Sequence, residues 1–226
     1  MTIGAVADIH GNFDALTSAI TRHPEVPLWI CVGDLASRTG AYPQTAKPLY
    51  WIKGNNEDFD RIALWEAGAE PAPLHLQYIK NGTMAQVGPL TVAGLGGTFA
   101  PTWFDTRADA LPHTARDDKR RHFVREEADA CKRLRGVDIL MTHEAARPFI
   151  IVDEAKPGRK PRRHDAGKPA INDVLATLQP RLHLCGHHHR FAETVREGVR
   201  SVCIDRINRS YLLIDADTLE YRKIEQ

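Results

Sequence analysis

Thr2-Ile3-Gly4-Ala5-Val6-Ala7-Asp8-Ile9-His10-Gly11-Asn12 is the stretch that decides the fold. Its apolar run, residues 2–7, stops at Asp-x-His-Gly-Asn, so it reads as a buried strand that delivers a carboxylate and an imidazole into a turn. Residues 12–21 follow with Phe13, Leu16 and Ile20 at helical spacing, which predicts a helix packed back on that strand. The same grammar repeats. Residues 28–32 are apolar and end at Gly33-Asp34, residues 50–53 end at Gly54-Asn55, and residues 59–68 carry a helical pattern. Strand–helix–strand alternation predicts an α/β layout with parallel strands.

Further along, residues 75–79, 84–87 and 90–93 read as short strands. The Asn81-Gly82 and Gly88-Pro89 turns between them predict antiparallel hairpins. A polar segment with Trp103 and Phe104 covers residues 98–116, and a charged helix is expected over residues 117–134. Residues 137–141 form a strand ending at Thr142-His143. Residues 148–168, with Pro157, Gly158, Pro161 and Gly167, read as a loop. A helix over 171–178 precedes a strand over 182–185 that ends at Gly186-His187. Residues 194–196, 200–204, 210–214 and 219–223 read as a closing meander, and the whole of 1–226 as one domain.

Composition narrows the class without naming a partner. Of 226 residues, 42% are hydrophobic and 26% charged, which is the profile of a soluble globular chain. Lys and Arg number 30 against 29 Asp and Glu, so net charge argues neither for nor against nucleic acid. No apolar run is long enough to span a bilayer, and residues 1–8 lack the basic start and long apolar stretch of a signal peptide. Cys31, Cys131, Cys185 and Cys203 lie far apart with no CxxC pair, as expected of buried, reduced thiols in a cytoplasmic protein.

The polar residues of interest share one position type, each where an apolar strand runs into a Gly-containing loop. They are Asp8, His10, Asp34, Asn55, His143, His187 and His189. In an α/β sheet the carboxyl ends of parallel strands line one edge, so these positions are expected to converge. Asp-x-His and His-x-His are expected to ride on strand alternation, with His188 facing away. Carboxylates, imidazoles and one amide, with no thiolate, suit manganese first, with iron, zinc or nickel as further candidates. Seven ligands are too many for one ion and fit two that share a carboxylate. Such a pair, roughly 3.5–4 Å apart, clamps a phosphoryl group and acidifies a bridging water.

Asp-x-His, Gly-Asp, Gly-Asn, a lone His and Gly-His-x-His, in that order from Asp8 to His189, resemble the calcineurin-like metallophosphoesterases. The resemblance implies a four-layer αββα sandwich: two mixed sheets face to face with helices outside. It assigns one metal to Asp8, His10, Asp34 and His189. The other goes to Asp34, Asn55, His143 and His187, with Asp34 bridging. It further implies in-line attack on phosphorus by a metal-bridging hydroxide, with His143 counted among the catalytic residues. Many members read Gly-Asn-His-Asp or Gly-Asn-His-Glu, and that His is thought to protonate the leaving group. Here the position holds Asn56, an amide that donates a hydrogen bond to a phosphate oxygen but releases no proton near neutral pH. Losing a general acid forfeits ~10²–10⁴-fold in rate on basic leaving groups, so poor activity on simple alkyl monoesters is expected. Relatives that lack this His are often phosphodiesterases, and the resemblance therefore tilts the expectation to one.

Residues 92–134, with Gly94-Leu-Gly-Gly97, an aromatic loop and Arg120, Arg121, His122 and Arg125, are similar in layout to RNA lariat debranching enzymes. That layout makes residues 98–134 a candidate lid. Those enzymes typically carry a Cys early in the metal site, whereas this chain has Asp8-x-His10. The basic loop at about 155–168, including Arg162 and Arg163 and running to Lys168, would lie at the rim and steer a polyanion. Glu57 is expected either to orient a site residue or to cap the next helix. The leading expectation is a phosphodiesterase acting on a nucleotide or nucleic-acid diester. A phosphomonoesterase or nucleotide pyrophosphatase is the alternative within enzymes. A non-catalytic scaffold on the same fold, as in the retromer subunit of this family, is the alternative outside them.

Overall fold

The computed structural model describes residues 1–114, 117–150 and 165–226. The first half runs β1 (Thr2–Val6), α1 (Phe13–Arg22), β2 (Trp29–Cys31), β3 (Leu49–Trp51), α2 (Phe59–Glu66), β4 (Leu76–Tyr78), β5 (Thr83–Val87) and β6 (Leu90–Leu95). Then come β7 (Thr98–Phe99), β8 (His122–Phe123), α3 (Arg125–Arg133), β9 (Ile139–Thr142), β10 (Phe149–Ile150), β11 (Asp165–Ala166) and α4 (Pro169–Leu178). The chain closes with β12 (Leu182–Cys185), β13 (Ala192–Arg196), β14 (Val199–Cys203), β15 (Ser210–Asp215) and β16 (Tyr221–Glu225). Two six-stranded mixed sheets result, ordered β16-β15-β1-β2-β3-β4 and β13-β14-β12-β9-β6-β5.

Side-chain alternation explains why the sheets stack. Ile3, Ala5 and Ala7 face a core shared with Ile139, Met141, Leu182 and Leu184 of the second sheet. Val6 and Ile9 point the other way, onto Leu16 and Ile20 of α1. On the far face of the second sheet, Ala93, Leu95 and Leu140 pack on Cys131 of α3 and Ile171 and Val174 of α4. Strands covered on both faces read as continuous apolar runs, as the central parallel strands here do. The expected αββα order of layers is therefore what the packing produces. Asn12 caps α1 by accepting from the Ala15 amide, and Asp58 caps α2 by accepting from Arg61.

Three expectations need correction. The Asn81-Gly82 turn makes no hairpin: β4 pairs parallel with β3 in the first sheet, while β5 pairs antiparallel with β6 in the second. Asn81 fixes this crossing by exchanging hydrogen bonds with the Gly96 backbone, at 2.6 and 3.1 Å. The closing meander is split as well. β13 and β14 form a hairpin in the second sheet, and β15 and β16 one in the first. The charged helix begins only at Arg125, because a short 3₁₀ turn, Lys119–Arg121, and β8 occupy the residues before it. The basic-loop residues Arg162 and Arg163 lie outside the described residues.

Candidate functional site: a carboxylate–imidazole centre between the sheets

β1, β2 and β3 lie side by side and parallel, and so do β9 and β12 in the facing sheet. Their carboxyl ends open on one edge, so Asp8, Asp34 and Asn55 arrive from one sheet and His143, His187 and His189 from the other. The loops are stitched together. Asp8 N donates to Gly33 O at 3.1 Å, His10 N to Asp34 O at 2.8 Å, and Gly186 N to His143 O at 3.2 Å. Across the sheets, His187 N donates to Asp8 Oδ2 at 2.9 Å.

Strand alternation does not aim these side chains, contrary to expectation. β1 ends at Val6 and β12 at Cys185, and the polar residues beyond them take left-handed backbone. Their φ values are 49° for Asp8, 47° for His10, 54° for Asp34, 66° for His187 and 54° for His189. Asp and His enter this region more readily than most residues, and such positions cost of order 1–3 kcal/mol each. A run of them at one sheet edge marks strain concentrated at a functional site. The motif glycines make room for it. A Cβ on Gly54 would lie 2.0 Å from Asp34 Oδ1, and one on Gly186 would lie 2.8 Å from Asp8 Oδ2.

Ligand atoms of Asp8, His10, Asp34 and His189 all fall within 4.8 Å of one another. The two imidazole Nε2 atoms of His10 and His189 are 3.0 Å apart. His189 Nε2 lies 3.3 Å from Asp8 Oδ1, and His10 Nε2 lies 3.5 Å from Asp34 Oδ2. Asp8 Oδ1 is buried with no hydrogen-bond partner. A buried carboxylate oxygen without a donor is costly, and a divalent cation between these four groups would satisfy it. The second group adjoins the first. His143 Nε2 is 3.5 Å from Asp34 Oδ2 and 3.0 Å from Asn55 Oδ1, and its ring centroid is 5.1 Å from that of His187. His143 Nδ1 donates to Val32 O at 2.9 Å, which leaves Nε2 as the ring nitrogen that could ligate a metal.

Burial opposes ionisation of Asp34, but His143 and the donors of Asn56 outweigh it and hold the carboxyl well below the usual range. Burial likewise disfavours charge on His143, yet Asp34 and then Asp8 lift its pKa to about 10. His10 is lowered, chiefly by burial. Asn56 donates to Asp34 twice, from its backbone N to Oδ1 and from Nδ2 to Oδ2, both at 2.8 Å. One hydrogen of Nδ2 is thus spent on the carboxylate and the other is free to face a ligand.

Glu57 resolves in favour of orientation, since Asp58 takes the capping role. Its carboxylate accepts from Leu35 N (3.0 Å), Ala36 N (3.1 Å) and Gly54 N (3.1 Å), stapling the Asp34 and Asn55 loops to each other. Burial and the neighbouring Asp34 push its pKa up to about 7 against those three donors. His188 turns from the centre towards Glu144, at 3.7 Å, and burial lowers its pKa to about 4. Lys168 heads α4, with its backbone N on Ala145 O, and lines neither of the two cavities at the centre. Arg120, Arg121 and Arg125 are engaged by Asp60 and Asp118, Asp117, and Asp105. Phe104 packs on Phe99 and Phe123.

Two cavities meet at Asn56. One, of about 730 Å³, is lined by Asp8, His10 and His189 together with Arg38 and Arg206. The other, of about 490 Å³, is lined by Asn55 and Asp58 together with His113 and Arg121. Arg38 and Arg206 escaped the sequence reading because neither sits in a motif.

Known proteins bear on this geometry. The chain is 27% identical over 204 residues to a lariat debranching enzyme of Schizosaccharomyces pombe, a match covering 84% of this chain and 44% of that protein. The chain thus spans less than half the length of that relative. It superposes on the crystal structure of TT1561 of Thermus thermophilus with a TM-score of 0.66 at 15% identity, covering 99% and 98% of the two chains. It also superposes on a novel archaeal phosphodiesterase with a TM-score of 0.52 at 12% identity over the full length of both. These two likenesses show the fold. The profile of the calcineurin-like phosphoesterases matches residues 1–191, and the chain belongs to that family of metal-dependent phosphoester hydrolases.

Proposed function

We propose that the protein is a phosphodiesterase that works with two divalent ions on a nucleotide or nucleic-acid diester. One observation carries this reading: Asp34 Oδ2 lies 3.5 Å from His10 Nε2 and 3.5 Å from His143 Nε2, so one carboxylate oxygen faces both ligand groups. Asp8, His10, Asp34 and His189 would hold one ion, and Asp34, Asn55, His143 and His187 the other. Manganese suits this donor set best. Divalent cations supply Lewis acidity, neutralising phosphoryl oxygens and lowering the pKa of water.

The chain's own residues do the rest. Glu57 and Asn56 fix the orientation of Asp34, and the Val32 carbonyl fixes the tautomer of His143. The second Nδ2 hydrogen of Asn56 faces a non-bridging phosphate oxygen where the two cavities join. A diester presents one arm to each cavity. Attack is in line, and the departing ester oxygen takes its proton from water, since Asn56 has no acidic proton to give. Both sheets contribute ligands, so we read residues 1–226 as one catalytic unit. The four buried free cysteines fit a reducing compartment such as the cytoplasm. Among the described residues, no helix is long and apolar enough to cross a membrane.

Asn56 also favours a second reading, a nucleotide pyrophosphatase, because an anhydride leaving group needs no general acid. The test is a side-by-side assay with manganese of bis(p-nitrophenyl) phosphate, p-nitrophenyl phosphate and a dinucleoside polyphosphate. Diester turnover above monoester turnover, abolished in Asp34→Ala, is the expected result. Preference for the polyphosphate would move the assignment to the pyrophosphatase, and undiminished turnover in Asp34→Ala would end the two-ion account.

A further inference from the structure

The larger cavity carries more than a place for one ester arm. Arg206 and Asn208 line it from the turn after β14, and Asn12 and Arg38 line it from the first sheet's loops. The turn is held firmly. Ile207 N donates to Ala7 O at 3.1 Å, and Arg209 N and Ser210 N both donate to Arg206 O. Arg209 adds a bond from Nη1 to His189 O at 3.3 Å, which couples the turn to a residue of the proposed metal centre. Arg206 is therefore presented by fixed backbone.

Arg206 Nε is buried with no hydrogen-bond partner. Among the described residues, neither Arg206 nor Arg38 forms an ion pair, whereas Arg120, Arg121 and Arg125 at the other cavity or near it each have an Asp. A guanidinium with a buried, unsatisfied N–H at a cleft wall is poised for an anion, because leaving it unmade is costly. Asp8 and Glu57 are the carboxylates that line this cavity: the unpartnered Oδ1 of Asp8 would serve a cation, and the Glu57 carboxylate is taken up by the amides of Leu35, Ala36 and Gly54. The lining of this cavity thus joins candidate cation ligands, Asp8, His10 and His189, to two guanidinium groups that have no ion-pair partner among the described residues, Arg206 and Arg38.

We propose that Arg206 and Arg38, with the side-chain amides of Asn12 and Asn208, form a subsite for a second phosphate of the substrate. The inference rests on the phosphodiesterase reading and narrows it. The favoured substrate carries another phosphate next to the scissile one, as an oligonucleotide does, and is not an isolated single-phosphate diester. Arg206 is the specificity-determining residue, since its planar donors match two phosphate oxygens at once.

The experiment compares a dinucleotide bearing one internal phosphate with the same dinucleotide carrying an added terminal phosphate at the 5′ or at the 3′ end. Wild type is expected to prefer one of the two-phosphate substrates in kcat/KM by about 10–100-fold, and Arg206→Gln to reduce that ratio by about tenfold or more. Arg38→Gln, on an exposed loop where misfolding is not a concern, should reduce it by a smaller factor. An unchanged ratio in both variants overturns the proposal, as does an equal loss on all substrates, which would place Arg206 at the scissile phosphate. If wild type cleaves none of them, the phosphodiesterase reading is what fails. The subsite is then judged by calorimetry with inorganic pyrophosphate. Binding weakened about tenfold in Arg206→Gln supports it, and equal binding overturns it.

Discussion

On one side of Asp34 stand Asp8, His10 and His189; on the other stand Asn55, His143 and His187. The first group has a carboxylate of its own, and its imidazoles are partly exposed to the larger cavity. The second has no carboxylate except the one it shares. In its place it has a fully buried His143, oriented at Nδ1 by Val32 O, with Asn55 Oδ1 3.0 Å from Nε2. Charge organises the first group, and fixed orientation organises the second. The difference teaches that the two proposed ions would not be equivalent: the side with two carboxylates offers more Coulombic attraction for a divalent cation.

The sharpest way to break the comparison is to move what both sides share. A Cβ at residue 54 would overlap Asp34 Oδ1, and the backbone N of Asp34 lies only 2.3 Å from the same point. Gly54→Ala should therefore cost both groups their common ligand and lower turnover by about 10³-fold or more, in line with several kcal/mol of lost metal catalysis. Steady-state kinetics together with metal content per chain checks this. Normal content of both ions in the variant would separate Asp34 from one of the two groups.

A smaller effect sharpens the comparison from beneath the second group. His183 is buried between Thr142 Oγ1 (2.8 Å) and Ser201 Oγ (2.9 Å), joining β9, which delivers His143, to β12, which delivers His187. Burial lowers its pKa from 6.5 to about 3. The sign follows directly. Between pH 6.5 and 3 the unfolded chain binds a proton that the folded chain refuses, so stability is intact above 6.5 and falls as the pH drops. The slope approaches about 1.4 kcal/mol per pH unit from this one residue. Urea unfolding of wild type should thus lose stability between about pH 6 and 4 more steeply than His183→Gln. Parallel curves would remove His183 from the acid response.

How much of this was legible depends on whether a feature is local. The positions that converge could be read because an apolar run ending in Gly-Asp, Gly-Asn or Gly-His is a local pattern, and the ends of parallel strands must meet. Sheet membership is not local. An Asn-Gly turn signals a hairpin in most settings, and only the contact of Asn81 with Gly96 shows that residues 80–83 cross between sheets. The left-handed backbone at Asp8, His10 and His189 is also hidden, since x-Asp-x-His fits an extended strand equally well. Glu57 could be singled out by position, but its three amide partners come from two separate loops. Arg206 gave no signal, because what distinguishes it is a missing partner in space. The basic cluster at Arg120–Arg125 shows its charge in the sequence but not its pairing, as its carboxylate partners include Asp60, distant in sequence.

The most direct test of the central claim is an anomalous-scattering map from crystals equilibrated with manganese. The account predicts two peaks, one on each side of Asp34, the first among Asp8, His10 and His189 and the second among Asn55, His143 and His187. A single peak at saturating manganese, or peaks that leave Asp34 out of contact, would contradict it.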